Sequence, residues 1–288
     1  MTWQLSLAGV LVGVLVGMTG MGGGSLMTPI LILLFGFDAK VAVGTDILHG
    51  AVFKSFGALR HRMLGTVHAH LALWMLLGSA PCSLIGVQIA SGFGDGTDST
   101  MGRVVGGALI LGGLGFVAKT FLAPREHDGV GLLDARQKLI AVAIGASCGF
   151  VVGLTSVGSG TFFGLAMLLA YPLAAQAIVG TDIFHAAALL WVAGLGHLAH
   201  GNVNLHAMGW LLVGSIPGVL LGSQMSIRIP DRSLRIAFSV VLVLSGIKLV
   251  GVPQASLIIM IALAIGGLAL VVYAVRQLMS RPPAPAAD

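Results

Sequence analysis

The feature that most constrains this chain is an internal repeat. Adding 136 to a position in the first half lands on a counterpart in the second, without a gap, over about eighty residues. Gly9, Gly13, Gly17 and Thr19 fall on Gly145, Gly149, Gly153 and Thr155, while Gly22 and Gly24 fall on Gly158 and Gly160. The run Val43-Gly44-Thr45-Asp46-Ile47 returns as Val179-Gly180-Thr181-Asp182-Ile183, with His49 on His185. Further along, His61, Gly65, His70, Trp74, Gly78, Ser79, Pro81, Gly86 and Gln88 meet His197, Gly201, His206, Trp210, Gly214, Ser215, Pro217, Gly222 and Gln224. So many matches of Trp, His and Pro at one offset are not chance, and the chain is two copies of one unit.

Each unit is built for lipid. Hydrophobic residues make up 57% of the chain and charged residues 9%, with a mean hydropathy of +1.01. Soluble domains carry about 25% charged residues, so this surface cannot be dressed for water. The net charge of +5 does not point to nucleic acid, because the basic residues stand singly in short loops between apolar runs, the pattern of loops beside a membrane. The start of the chain, Met1 to Gly9, has no Lys or Arg ahead of its apolar run and no small-residue cleavage pattern follows it, so it is not read as a secretory signal. Cys82 and Cys148 lie inside apolar runs and are expected as reduced thiols, with no disulfide or metal framework and no cofactor.

The expected fold is an all-α polytopic membrane protein of two repeats. Repeat 1 (1–122) holds a broken segment at 5–36 and spans at 43–61, 67–90 and 101–121. A linker covers 123–136. Repeat 2 (137–251) holds a broken segment at 140–171 and spans at 179–197, 205–227 and 233–250. The spans approach the ~20 residues a bilayer requires. Residues 252–288 add an unpaired apolar run and a tail. Each broken segment is interrupted by glycine-rich backbone, Gly17 to Ser25 and Gly153 to Thr161, leaving pieces of about 12–14 residues suited to half-helices or re-entrant hairpins.

Charge selects between a crossing and a hairpin. If both broken segments cross, the loop cations divide evenly between the two sides. If each enters and leaves on one side, Arg60, Arg62, Lys119, Arg125, Arg136, Lys138, Arg228, Arg232, Arg235, Arg276 and Arg281 share a face, opposite Lys40, Arg103 and Lys248. A strong bias is the mark of a real topology, so hairpins are expected, with the N-terminus outside and the linker and C-terminal tail cytoplasmic. The halves are then inverted, an architecture of secondary transporters with a site near the midplane.

Two sets of residues bear chemistry. The first is the glycine breaks: backbone N–H groups freed where a half-helix begins at Ser25 or Thr161 attract an anion, and Thr19, Ser25, Thr155, Ser156, Ser159 and Thr161 add hydroxyls around Gly22, Gly23, Gly24, Gly158 and Gly160. Small residues also serve tight helix packing in membranes. The second set is ionisable. Asp46 and His49 share a helix face, as do Asp182 and His185, and Lys54 lies at the edge of the first pair's face. Charge inside a bilayer is costly and by default functional. Three readings stay open here: carboxylates that staple helices, Asp–His pairs that carry a coupling proton, and a shared cation site. Lys54, opposite Leu190 in the repeat, either balances an aspartate or attracts the anion. Pro81 and Pro217 are expected to kink their spans at matching points.

Gly20-Met-Gly-Gly-Gly-Ser-Leu-Met-Thr-Pro-Ile, the two Val-Gly-Thr-Asp blocks and Gly214-Ser-Ile-Pro-Gly-Val-Leu-Leu-Gly-Ser resemble the TauE/SafE sulfite exporter family, also called the toluenesulfonate-uptake permease group. The resemblance covers about residues 5 to 250. It implies a bacterial-type inner-membrane carrier of sulfur-containing anions (sulfite, sulfonates, sulfoacetate), with the substrate at Gly22–Ser25 and Gly158–Thr161. The combined expectation is a secondary transporter, not an enzyme, moving a small anion such as sulfite, a sulfonate or thiosulfate by alternating access. Its partners are that anion, membrane lipid and protons. The alternative is a divalent metal or other cation permease whose ligands are the Asp–His pairs. Which anion moves, in which direction, and whether the carrier is a homodimer are not written in the residues.

Overall fold

The computed structural model describes residues 2–19, 24–94, 100–122, 133–225, 231–262 and 264. The described residues are helical and contain no strand. The first copy forms α1 (Thr2–Thr19), α2 (Gly24–Leu33), α3 (Ala39–Met63), α4 (Ala69–Ser91) and α5 (Thr100–Phe121). The second forms α6 (Ala135–Thr155), α7 (Phe162–Ala170), α8 (Ala175–Ala199), α9 (Leu205–Met225) and α10 (Asp231–Val250). A further helical run occupies 255–262. Most of the linker and of the C-terminal apolar run lies outside the described residues.

Among the described residues, five helices are long and apolar enough to cross a bilayer: α4, α5, α6, α8 and, over Leu205–Gly222, α9. Helix α6 joins this group unexpectedly. Its 21 residues exceed the 12–14 expected of a half-helix, because a capping box at Asp134 and Gln137 starts it upstream of the apolar run. The Gln137 N–H donates to Asp134 at 2.6 Å, and the Asp134 N–H donates back to Gln137 Oε1 at 3.0 Å. Helices α4 and α9 continue through Pro81 and Pro217.

The copies interlock across the repeat boundary. Gly145, Gly149 and Gly153 of α6 lie against Met75, Ser79 and Ser83 of α4, so these two helices run parallel. Gly9 and Gly13 of α1 lie against Leu211 and Ser215 of α9 in the same sense. By contrast, Gly44 and Gly57 of α3 meet Asn202 and Ile183, and Gly106 and Gly113 of α5 meet Val250 and Val243. The pairs α3–α8 and α5–α10 are therefore antiparallel. A Cβ at Gly149 would stand 2.5 Å from the Ser79 Cα. Lipid is as apolar as a leucine side chain, so close backbone packing has to supply helix association.

The Val-Gly-Thr-Asp blocks dock the copies onto each other. Gly44 and Gly180 admit the backbones of Asn202 and Thr66. Thr45 accepts the Asn204 N–H, and Thr181 accepts the His68 N–H, each at 2.9 Å. Asn204 and His68 in turn cap the starts of α9 and α4, accepting the Ala207 and Leu71 N–H groups. Gly65 (φ +68°) and Gly201 (φ +73°) turn the chain after α3 and α8 in the left-handed region open to glycine.

Polarity is arranged inside out. Leu73 and Leu77 of α4, Leu111 and Leu114 of α5, and Leu220 of α9 are more than half exposed, whereas Asp46, His49, Lys54, Asp182 and His185 are buried. A protein in water has the opposite order.

Candidate functional site

The second glycine break is described in full. Helix α6 ends at Thr155, whose hydroxyl donates to the Val151 carbonyl at 2.7 Å and accepts the Val157 N–H at 3.2 Å. Ser156 (φ 62°), Gly158 (φ 127°) and Gly160 (φ 100°) then turn the chain through left-handed backbone into α7. Thr161 stands ahead of α7; its hydroxyl is buried and has no hydrogen-bond partner among the described residues. In the first break, Gly22 and Gly23 lie outside the described residues, as does the side chain of Thr19. Gly24 begins α2 and Ser25 is buried in its first turn.

Around the breaks the two copies exchange polar groups. Asp46, on α3, accepts through Oδ2 from the Thr28 hydroxyl of α2 at 2.5 Å and from the Ser156 hydroxyl of the second break at 2.9 Å. Lys54, two turns further along α3, donates to the Ser159 hydroxyl of that break at 2.7 Å. Asp182, on α8, accepts the Gly160 N–H and faces the charges of Lys119 and Lys54. Lys119 Nζ lies 3.5 Å from the Gly160 carbonyl oxygen. The second break is therefore set among two buried lysines and two buried aspartates. Among the described residues, Asp46 Oδ1 and Asp182 Oδ1 have no hydrogen-bond partner.

The histidines turn elsewhere. His49 Nε2 shares a hydrogen bond with the Ser215 hydroxyl of α9 at 2.8 Å, and His185 Nε2 does the same with Ser79 of α4 at 2.8 Å. Each joins a helix of one copy to a helix of the other. Neither aspartate bonds the histidine one turn below it, and among the described residues no three of His, Cys, Asp and Glu gather as metal ligands would.

A small cavity borders the first pair. Val12 and Val16 of α1, Met27 of α2, Asp46 and His49 of α3 and Ser215 of α9 line it, and it has room for roughly one water. At the equivalent place in the second copy Phe163 stands where Met27 does, fully buried, with its ring centroid 4.4 Å from that of His185.

Thr28, Lys119, Ser79 and Ser215 belong to this network although sequence reasoning had not placed them there. Lys119 reads in the sequence as a loop cation; it is instead 6% exposed, with its amine turned inward from the last turn of α5. A lysine that close to a helix end ordinarily extends to the membrane surface, so hydropathy gave no sign of the inward course. The serines were visible as repeat matches, but pattern alone assigned them no partner.

The family model described as "Sulfite exporter TauE/SafE" matches residues 5–249. The Bacillus subtilis protein named "Probable membrane transporter protein YjnA" is 35% identical over 257 residues, covering 87% of this chain and all of that protein. Two further Bacillus subtilis proteins, named "Probable membrane transporter protein" YdhB and YunE, are 23% and 25% identical, over 83% and 85% of this chain and 96% of each relative. No solved structure matches.

Proposed function

The chain belongs to the sulfite exporter TauE/SafE family of membrane transporters, and from that premise we propose that it carries a small sulfur-containing anion, such as sulfite, a sulfonate or thiosulfate, across the inner membrane. Carriage is by alternating access, coupled to protons or to the membrane potential. The two repeats are inverted, each made of a glycine-broken hairpin followed by three transmembrane helices, with one more helix at the C-terminal end. The helix directions support this: α1 runs parallel to α9 and α6 runs parallel to α4, while α3 and α8 oppose one another. The N-terminus is outside and the linker and tail are cytoplasmic, as the cation bias favours.

The observation that carries the reading is a lysine buried at a glycine break. Lys54 is 3% exposed and its ammonium rests on Ser159, just ahead of α7, whose opening N–H groups favour negative charge. The anion sits between the breaks, near the midplane. Lys54 and the hydroxyls of Ser25, Ser159 and Thr161 hold it, with the N–H groups that open α2 and α7. Asp46 with His49, and Asp182 with His185, lie next to it, and the coupling proton is carried within this set of four.

Flux in proteoliposomes tests the proposal. Sulfite, thiosulfate and an organic sulfonate are each loaded with and without a pH gradient, in the parent and in Lys54→Met. Anion flux that Lys54→Met abolishes supports it. Equal leakage with and without protein, or uptake of a divalent metal in place of any anion, overturns it.

A further inference from the structure

Resting on the proton-coupled anion reading, we propose that Lys119 is a positioning residue: it is the standing counter-charge of Asp182, in the place that Thr28 holds for Asp46, and it leaves Asp46 as the carboxylate that exchanges the coupling proton. The argument begins at one repeat position. Residue 28 is threonine, whose hydroxyl bonds Asp46. Its counterpart, residue 164, is glycine. A Cβ there would stand 2.5 Å from Lys119 Nζ and 3.7 Å from Asp182 Oδ2, so the ammonium and the carboxylate flank the space a side chain would fill. Lys119 and Lys54 are the positive charges that Asp182 faces. Turning an ammonium inward from a helix end forfeits its hydration, and a carboxylate at that depth is what offsets the loss.

The neighbours of the two carboxylates then differ in kind. Among the described residues Asp46 faces Lys54 and His49 from its own helix, the hydroxyl and backbone N–H of Thr28 from α2 and the Ser156 hydroxyl from the second break, while α1 brings valines and α9 brings Ser215 to the adjoining cavity. Asp182 faces Lys119 from α5, Lys54 from α3, the Gly160 N–H from the break and His185 from its own helix. Access differs too. The cavity that admits a water touches Asp46, whereas Phe163 packs on His185 at the matching place beside Asp182. A proton from the medium reaches Asp46 Oδ1 through a water in that cavity, which takes up one proton as it gives another and so ends unchanged, while Oδ2 keeps Thr28 and Ser156. Asp46, Asp182, Lys54 and Lys119 sum to no net charge before this step and to one positive charge after it, which favours entry of one negative charge.

Infrared difference spectra of the purified full chain in lipid nanodiscs, between pH 9 and pH 6 and without substrate, read the carboxyl directly. Surface carboxylates titrating near pH 4 contribute little over that interval. A protonated-carboxyl band is expected in the parent, lost in Asp46→Asn and kept in Asp182→Asn, or in Lys119→Met/Asp182→Asn where the single variant does not fold. Lys119→Met is expected to lower the Tm by about 10 °C, and most of this returns in the double variant. A band that follows Asp182, no band in the parent, or a Lys119→Met loss that Asp182→Asn leaves untouched overturns the proposal. Because no anion is present, failure of the transport reading appears in the flux assay alone.

Discussion

At positions 49 and 185 the two copies make the same contact, an imidazole on a serine of the opposite copy, each at 2.8 Å. At positions 28 and 164 they do not: one is a threonine on Asp46, the other a glycine that opens space beside Asp182 for Lys119. Positions 27 and 163 differ likewise, with Met27 lining a cavity and Phe163 filling its counterpart against His185. Contacts that hold the copies together are kept at the repeat offset, and contacts around the carboxylates have diverged. Interlocking helices leave no tolerance on either side of the pseudo-symmetry, whereas a buried charge needs only some donor, of whatever origin.

The comparison breaks most severely where backbone meets backbone. Gly149→Val and its counterpart Gly13→Val should each abolish accumulation of folded protein, since the new side chain would displace Ser79 or Ser215 backbone. Size-exclusion profiles after detergent extraction check this, and a well-folded Gly149→Val protein would remove the case for close packing. Next comes the division between the carboxylates. Asp46→Asn should fold and lose pH-gradient-driven flux by on the order of tenfold or more, equivalent to at least about 1.4 kcal/mol, whereas Asp182→Asn should chiefly lose stability. Equal losses of both kinds in both variants would restore full symmetry.

Smaller effects sharpen the picture. Thr28→Val removes a donor from a buried carboxylate and should destabilise by about 1–3 kcal/mol, while Gly164→Ala should be harmful for the opposite reason, by pushing Lys119 away from Asp182. Chemical unfolding of both variants reads the two losses. The smallest change is expected from Phe163→Met, which copies the first repeat's residue. A loss under about 1.5 kcal/mol is anticipated for a volume-tolerant swap, together with faster access of a water-soluble carboxyl reagent to the second site.

Much of this was legible in the residues. Repetition of rare residues at one offset identified the duplication, and the lack of charge identified lipid as the solvent. Glycines and Ser or Thr at 155–161 marked the second break, where the structure has left-handed backbone at Ser156, Gly158 and Gly160. Asp46, Lys54 and Asp182 stood out because charge in an apolar helix is costly. Helix ends were less legible: hydropathy locates the apolar stretch, while Asp38 and Asp134 start α3 and α6 upstream of it.

Partner choice was decided only by the tertiary structure. Asp46 and His49 share a helix face, yet one bonds α2 and the second break and the other bonds α9, since a helix surface inside a bundle meets several neighbours at once. Lys119 looked like a loop residue because its position near a helix end says nothing of which way a four-carbon stem turns. Periodicity and composition report what each residue can tolerate in lipid, and they determined a duplicated membrane bundle with broken segments. Which donors reach which carboxylate depends on contacts across more than a hundred residues of chain, and only the packed helices supply those.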